Sequence, residues 1–272
     1  MASLNEISAQ QLSRLIGTAD CPVLLDVRID EDFDAYPSIL PGARRWRFDD
    51  MASFAEQADG QKVVLYCHKG LKLSQGAAAE LRCRGVQAEC LQGGYMQWIE
   101  RALPVIATDR LPALATGERS LWVTRQRPKI DRIACPWLIR RFVDPRADFL
   151  FVSKSQVEAV ADRFGAIAFD TADGFWSHRG ENCSFDTLLD EFDLHSDALD
   201  RLALIVRGAD TDRLDLAPEC SGLLAASLGL SRMFKDDLQQ LEAGMTLYDA
   251  FYRWSRDAMD EGHDWPGNSQ QG

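Results

Sequence analysis

The feature that most constrains this chain is a junction of three pieces. The apolar run Val63-Val64-Leu65-Tyr66 meets Cys67, the basic loop His68-Lys69-Gly70-Leu71-Lys72-Leu73 follows, and an Ala-rich segment begins after Ser74. The short apolar run reads as a buried strand and the Ala-rich segment as a helix. The pattern is the strand–loop–helix step of an α/β domain, with a cysteine at the C-terminal end of the strand. The backbone N–H groups of residues 68–73 can curl around its sulfur, and the dipole of the following helix adds partial positive charge. Lys69, Lys72 and His68 add more. These groups favour thiolate over thiol, so a nucleophilic Cys67 is expected at neutral pH. The competing reading is a small buried hydrophobe, which suits most free cysteines. The surroundings favour the reactive one, on condition that the thiol meets solvent.

Cys67-His68-Lys69-Gly70-Leu71-Lys72 resembles the active-site loop of the rhodanese-type sulfurtransferases, whose cysteine carries a persulfide. The flanking chain agrees: Leu24-Leu25-Asp26-Val27-Arg28 is similar to the first signature of that family, Pro41-Gly42-Ala43 to the turn that follows, and Leu91-Gln92-Gly93-Gly94 with Trp98 to its closing motif. The resemblance covers residues 1–107. It implies a rhodanese-like parallel sheet flanked by helices and an activity like thiosulfate sulfurtransferase. Cys67 would be catalytic, and His68, Lys69, Gly70, Leu71, Lys72 and Leu73 would bind substrate. One departure is Ser38-Ile39-Leu40, where the family usually has Gly-His-Ile. Asp26 and Arg28 end their strand on the side where α/β sites assemble. They are candidates for substrate binding, but a structural ion pair ordering the nearby loop is preferred, because buried charges usually exist as pairs. The related cysteine phosphatases need an arginine six positions after the cysteine to clamp phosphate. Leu73 stands there, which argues against that chemistry.

With 272 residues, two domains are expected. A formal charge of −12 is a poor match for nucleic-acid binding, which leans on Lys and Arg meeting phosphate. The N-terminal residues show no secretory leader, and no apolar run approaches the ~18 residues of a membrane span. Seven scattered cysteines show no C-x-x-C pair or disulfide framework, so a reducing, cytoplasmic location is expected. Residues 4–17 read as an amphipathic helix, 22–27 and 88–91 as strands, and 77–83 as the helix after the loop. Residues 108–119 contain Pro and Gly without a clear period and read as a linker. The second domain, 120–256, is predicted to be helix-rich α/β (α+β). Its strands are expected at 121–124, 148–152 and 166–170. Its helices are expected at 130–142, 156–164, 199–206, 223–228 and 238–256. Pro136 is tolerated best near the first turn of its helix. Residues 257–272 read as a flexible tail.

Two spots in the second domain could hold chemistry. In Trp176-Ser177-His178-Arg179-Gly180-Glu181, an imidazole and a carboxylate stand three apart, a separation that can serve one metal ion. The acidic stretch Asp210-Thr211-Asp212, together with Asp131, could complete an N/O shell. A divalent metal held by His178, Glu181, Asp131 and Asp210 is the cofactor considered. The plainer readings are that Ser184 caps the next helix, Glu181 pairs with an arginine and the aspartates form a solvated loop. Lys129–Phe142, His178–Asp186, Ile205–Thr211, Leu228–Ser231 and Gly244–Ala250 resemble the C-terminal domain of the chromate-resistance ChrB family. That resemblance covers residues 120–256 and implies a link to chromate or oxyanion stress. The acidic charge and the N-terminal domain speak against a transcription factor.

The function expected is therefore sulfur transfer through a Cys67 persulfide, from a small anionic sulfur donor to a thiol acceptor, with no nucleic-acid or membrane partner. The alternative is a metal- or oxyanion-binding sensor without turnover. Chromate reduction ranks below both, since no glycine-rich dinucleotide fingerprint follows a strand.

Overall fold

The computed structural model describes residues 5–58, 60–111 and 119–262. Strand β1 (Glu6–Ile7) and helix α1 (Ala9–Leu15) open the chain. The helix starts at a reciprocal cap: the Ser8 hydroxyl accepts from the Gln11 N–H at 3.2 Å, and the Gln11 side-chain oxygen Oε1 accepts from the Ser8 N–H at 3.0 Å. Then come β2 (Val23–Asp26), α2 (Asp30–Ala35), β3 (Ser38–Ile39), β4 (Ala43–Arg45) and α3 (Met51–Ala55). The first domain closes with β5 (Val63–Tyr66), α4 (Lys72–Cys83), β6 (Ala88–Leu91), α5 (Gly94–Glu100) and β7 (Ile106–Ala107).

Five strands form one parallel sheet in the order β1-β6-β5-β2-β4, and β3 pairs with β7 antiparallel beside it. Strand β5 lies at the centre. Its four residues are fully buried because both faces are covered: Val64 and Tyr66 join one apolar cluster, Val63 and Leu65 the other. A strand buried on both sides has no reason to alternate with polar residues, hence the unbroken apolar run.

The second domain contains β8 (Leu121–Arg125), α6 (Asp131–Leu138), β9 (Asp148–Val152), α7 (Val157–Phe164) and β10 (Ile167–Ala168). It continues with α8 (Ser184–Phe192), α9 (Asp197–Asp210), α10 (Cys220–Met233) and α11 (Asp237–Asp257). Its sheet has three parallel strands in the order β10-β8-β9. The whole is mixed α/β, a parallel sheet flanked by helices followed by a helix-rich α/β region.

The helix expected over 130–142 is two elements: α6 passes at Leu138 into a wider π turn, Ile139–Val143. Pro136 sits well inside α6, beyond its first turn. Proline offers no N–H to a preceding carbonyl, and the widened turn follows directly. That turn carries Phe142 against the first domain. A side chain at Gly17 would strike the Phe142 ring at 2.3 Å, and the Gly42 N–H donates to the Phe142 carbonyl at 2.5 Å. One apolar cluster therefore runs from Leu12 and Trp98 through Phe142 to Trp137 and Tyr252.

Of the expected linker, Thr108–Arg110 forms a single 3₁₀ turn, and Arg110 Nη1 donates to the carbonyls of Asp190 and Glu191 at 3.1 Å. Residues 112–118 of that linker and 263–272 of the expected tail lie outside the described residues. Among the described residues no helix is long and apolar enough to cross a membrane.

Candidate functional site

Cys67 follows the last residue of β5 and faces the start of α4, as the strand–loop–helix pattern requires. Helix α4 has no side-chain cap at its N-terminus. Among the described residues, no carbonyl or side-chain acceptor takes the N–H groups of residues 68–71, so those donors remain available. The loop is clamped from behind by the Gly93–Gly94 turn: the Tyr95 N–H donates to the Cys67 carbonyl at 3.0 Å, and the Met96 N–H to the His68 carbonyl at 2.9 Å. Both sides of this contact need glycine. A Cβ on Gly94 (φ +59°) would lie 2.2 Å from the Cys67 carbonyl oxygen, and one on Gly70 (φ +67°) 2.7 Å from the Gly94 nitrogen.

The Cys67 sulfur lies 3.2 Å from the Ser74 hydroxyl, and the Cys90 thiol donates to the Ser74 carbonyl at 3.2 Å. Neither Ser74 nor Cys90 was marked by the sequence; Ser74 falls in the first turn of α4, and that position was its only signal. Lys69, Leu71 and Lys72 are exposed around the loop, and the half-buried His68 ring packs on Tyr36. Leu73 packs its side chain on the second apolar cluster, leaving only its main chain to face the site. The expectation of an open thiol is corrected: Cys67 is 4% exposed and sits beneath the loop rather than at its rim. The clamping glycines draw the loop down over it.

Asp26 and Arg28 do not line the site, and their candidacy for substrate binding is corrected. Both side chains are wholly buried. Arg28 Nε donates to both Asp26 oxygens at 2.9 Å, and Nη2 to Oδ2 at 2.5 Å. The remaining guanidinium donors go to the carbonyls of Tyr36 (3.0 Å) and Ser38 (2.6 Å). Buried and paired in this way, the two residues tie β2 to the segment before β4. Ser38, the departure from the resemblance, shares a 2.5 Å hydrogen bond with the Tyr95 hydroxyl.

The second candidate site forms around His178. Its Nε2 lies 3.4 Å from Asp131 Oδ2, 3.5 Å from Asp170 Oδ1 and 3.3 Å from Asp210 Oδ2. Asp131 is the first residue of α6, Asp210 the last of α9, and Asp170 follows β10 at the C-terminal edge of the small sheet. Asp170, missed in the sequence, carried a signal there, since sites in parallel sheets gather at that edge. Glu181 is exposed and is not brought into the group. Ser184 is not a cap: Cys183 holds the cap position of α8, its N–H donating to Asp186 at 2.9 Å. Ser184 instead buttresses the cluster, its N–H donating to Asp131 Oδ2 at 2.6 Å and its hydroxyl to Asp170 Oδ1 at 3.2 Å.

Asp131, Asp170 and Asp210 together raise the His178 pKa to about 12, burial opposing them. Burial pushes the Asp131 carboxyl up to about 6, against the pull of His178. Burial also acts to raise Asp170, but His178, Arg125 and Arg132 outweigh it and hold that carboxyl below its ordinary value. Ile130 (φ +42°) and Asp170 (φ +51°) both occupy the left-handed region, a strained setting that the Tyr248 hydroxyl helps hold by donating to the Ile130 carbonyl at 2.9 Å.

Residues 8–101 match the family model of the rhodanese-like domain, and residues 122–255 match that of the ChrB C-terminal domain. Protein ChrB of Cupriavidus metallidurans is 38% identical over 133 residues, which are 48% of this chain and 39% of that protein; the chain thus matches well under half the length of that curated relative. Among solved structures, a rhodanese-related protein of Thermoplasma volcanium is 20% identical, covering 38% of this chain and 97% of that one with a TM-score of 0.33. A thiosulfate sulfurtransferase of Pseudomonas aeruginosa is 23% identical, covering 38% of this chain and 19% of that one with a TM-score of 0.32.

Proposed function

We propose that this chain, a rhodanese-like domain followed by a ChrB C-terminal domain, carries sulfur on Cys67 in a sulfurtransferase reaction. The observation that supports this best is the placement of the Cys67 sulfur beneath the uncapped start of α4, in a loop whose main chain is clamped by Gly93–Gly94. A clamped loop is preorganised: its N–H donors need not reorient when negative charge arrives. Lys69 and Lys72 gather an anion that the overall charge of −12 otherwise repels.

The Cys67 thiolate attacks the outer sulfur of thiosulfate or a similar sulfane donor. A new S–S bond forms to Cys67, the S–S bond of the donor breaks, and sulfite leaves with the electron pair. An acceptor thiolate then attacks the outer sulfur of the persulfide, and Cys67 departs as thiolate, ready for another cycle. Cys67 is 4% exposed, so the reaction also requires the loop above it to admit the donor. Seven unpaired cysteines suit the reducing cytoplasm in which such chemistry runs. The likeness of residues 122–255 to the ChrB family connects the activity to chromate or oxyanion stress.

The test is mass spectrometry of the full chain after thiosulfate treatment. A gain of ~32 Da, one sulfur atom held covalently, is expected on the Cys67 peptide and vanishes in Cys67→Ser. A serine variant that still acquires the mass, or a wild-type Cys67 that never does, sinks the assignment.

A further inference from the structure

We infer that Asp131, Asp170, His178 and Asp210 hold one divalent first-row metal ion in the second domain, a site independent of the chemistry at Cys67. A charge-assisted hydrogen bond from an imidazolium to a carboxylate runs ~2.7–2.9 Å, and one N–H points at one acceptor. His178 Nε2 instead stands nearly equidistant from three carboxylate oxygens, at 3.3, 3.4 and 3.5 Å. Ligands ~2.1 Å from a shared ion are held about 3.0–3.4 Å from one another in octahedral or tetrahedral geometry. The observed spacing fits that arrangement and suits a hydrogen bond poorly.

A second observation points the same way. Asp131 is 1% exposed, and its Oδ1 is buried without a hydrogen-bond partner while Oδ2 faces His178. An orphaned carboxylate oxygen is expensive to bury, unless a cation takes it. The atoms behind the ligands are already fixed. Ser184 donates to Asp131 and Asp170, and Arg132 and Arg125 approach the outer oxygen of Asp170 at 3.2 and 3.3 Å. Such outer partners orient ligands and trim their negative charge.

The donor set is three carboxylates and one imidazole. Among the described residues no cysteine joins the group that could hold the ion, so hard or borderline ions such as Mn²⁺, Fe²⁺ or Zn²⁺ are favoured over Cu⁺. The site is closed on one side only. The Asp131 and Asp170 side chains are 1% and 7% exposed, whereas that of His178 is 41% exposed, leaving the ion reachable from solvent.

The experiment uses the full chain, stripped with chelator and reloaded with Mn²⁺ or Zn²⁺, read by elemental analysis and by the EPR signal of Mn²⁺. One ion per chain is expected. His178→Ala should weaken binding by more than the ~10–100-fold typical of losing an outer-shell partner, while Glu181→Gln and Cys67→Ser keep the wild-type affinity. Asp210→Asn is the second ligand variant should His178→Ala not fold. Binding well below one equivalent, or equal losses in Glu181→Gln and the ligand variants, would overturn the assignment.

Discussion

The loop around Cys67 and the cluster around His178 solve opposite electrostatic problems with different material. The first gathers donors: main-chain N–H groups of a few consecutive residues at the start of α4, with two lysines nearby. The second gathers acceptors: side chains of four residues spread from Asp131 to Asp210, brought together by α6, α9 and the edge of a small sheet. Backbone donors come with the chain wherever a strand hands over to a helix, so a contiguous motif can make a site for an anion. Carboxylates repel one another and meet only where the rest of the fold holds them, which makes a site for a cation and hides it from any short window of sequence. The contrast extends to cysteines. The Cys67 sulfur meets the Ser74 hydroxyl at 3.2 Å, whereas burial, helped by Asp131, Asp170, Asp210 and Asp186, pushes the Cys135 thiol well above its ordinary pKa. Burial with Asp131 and Asp186 does the same to Cys183.

The strongest way to disturb the first region from outside is Asp26→Asn. It leaves the Arg28 guanidinium buried without its counter-charge, and stability should fall by about 3–5 kcal/mol in chemical denaturation. A loss under about 1 kcal/mol would mean that the pair is not the brace between β2 and the segment before β4. Gly94→Ala is the next largest change. Its methyl group would press on the Cys67 carbonyl at 2.2 Å in a left-handed backbone, destabilising by about 1–3 kcal/mol. It should also abolish sulfur loading at Cys67 while leaving metal binding unchanged. Equal damage to both sites would erase the claim that one is built by main chain and the other by side chains. The smallest perturbation changes no residue. Brief iodoacetamide treatment at pH 8 should modify Cys67 and the exposed Cys83 but spare Cys135 and Cys183, whose raised pKa values keep them protonated there. Thiosulfate given first should protect Cys67 alone. If Cys67 is as inert as Cys135, its near-burial outweighs its donors and the opposition between the two regions is lost.

Much of the first domain is legible in the sequence. Val63–Tyr66 announced a central strand because a strand covered on both faces has no polar alternation. The preferred ion-pair reading of Asp26 and Arg28 matches two side chains without solvent exposure. The second domain was legible as a succession of strands and helices but not as a site. His178, Asp131 and Asp210 converge as the sequence suggests, yet Glu181, near His178 in sequence, stays exposed and outside the group, and Asp170 takes the place beside them. Spacing along the chain predicts contact only within one element. Ser184 shows the same limit: its place ahead of α8 suggested a cap, while the fold used its N–H and hydroxyl to hold two carboxylates.

What the sequence determined by itself were local matters: which stretches bury two faces, where a helix starts, and which cysteine stands at a strand's end under basic neighbours. Tertiary structure alone decided how far Cys67 lies from solvent, since the Gly93–Gly94 turn that draws the loop over it comes from a different strand–helix junction. It alone decided which carboxylates meet His178. Propensity and periodicity act between residues a few positions apart, whereas exposure and electrostatic fields are set by whatever the folded chain brings near, from any distance along it.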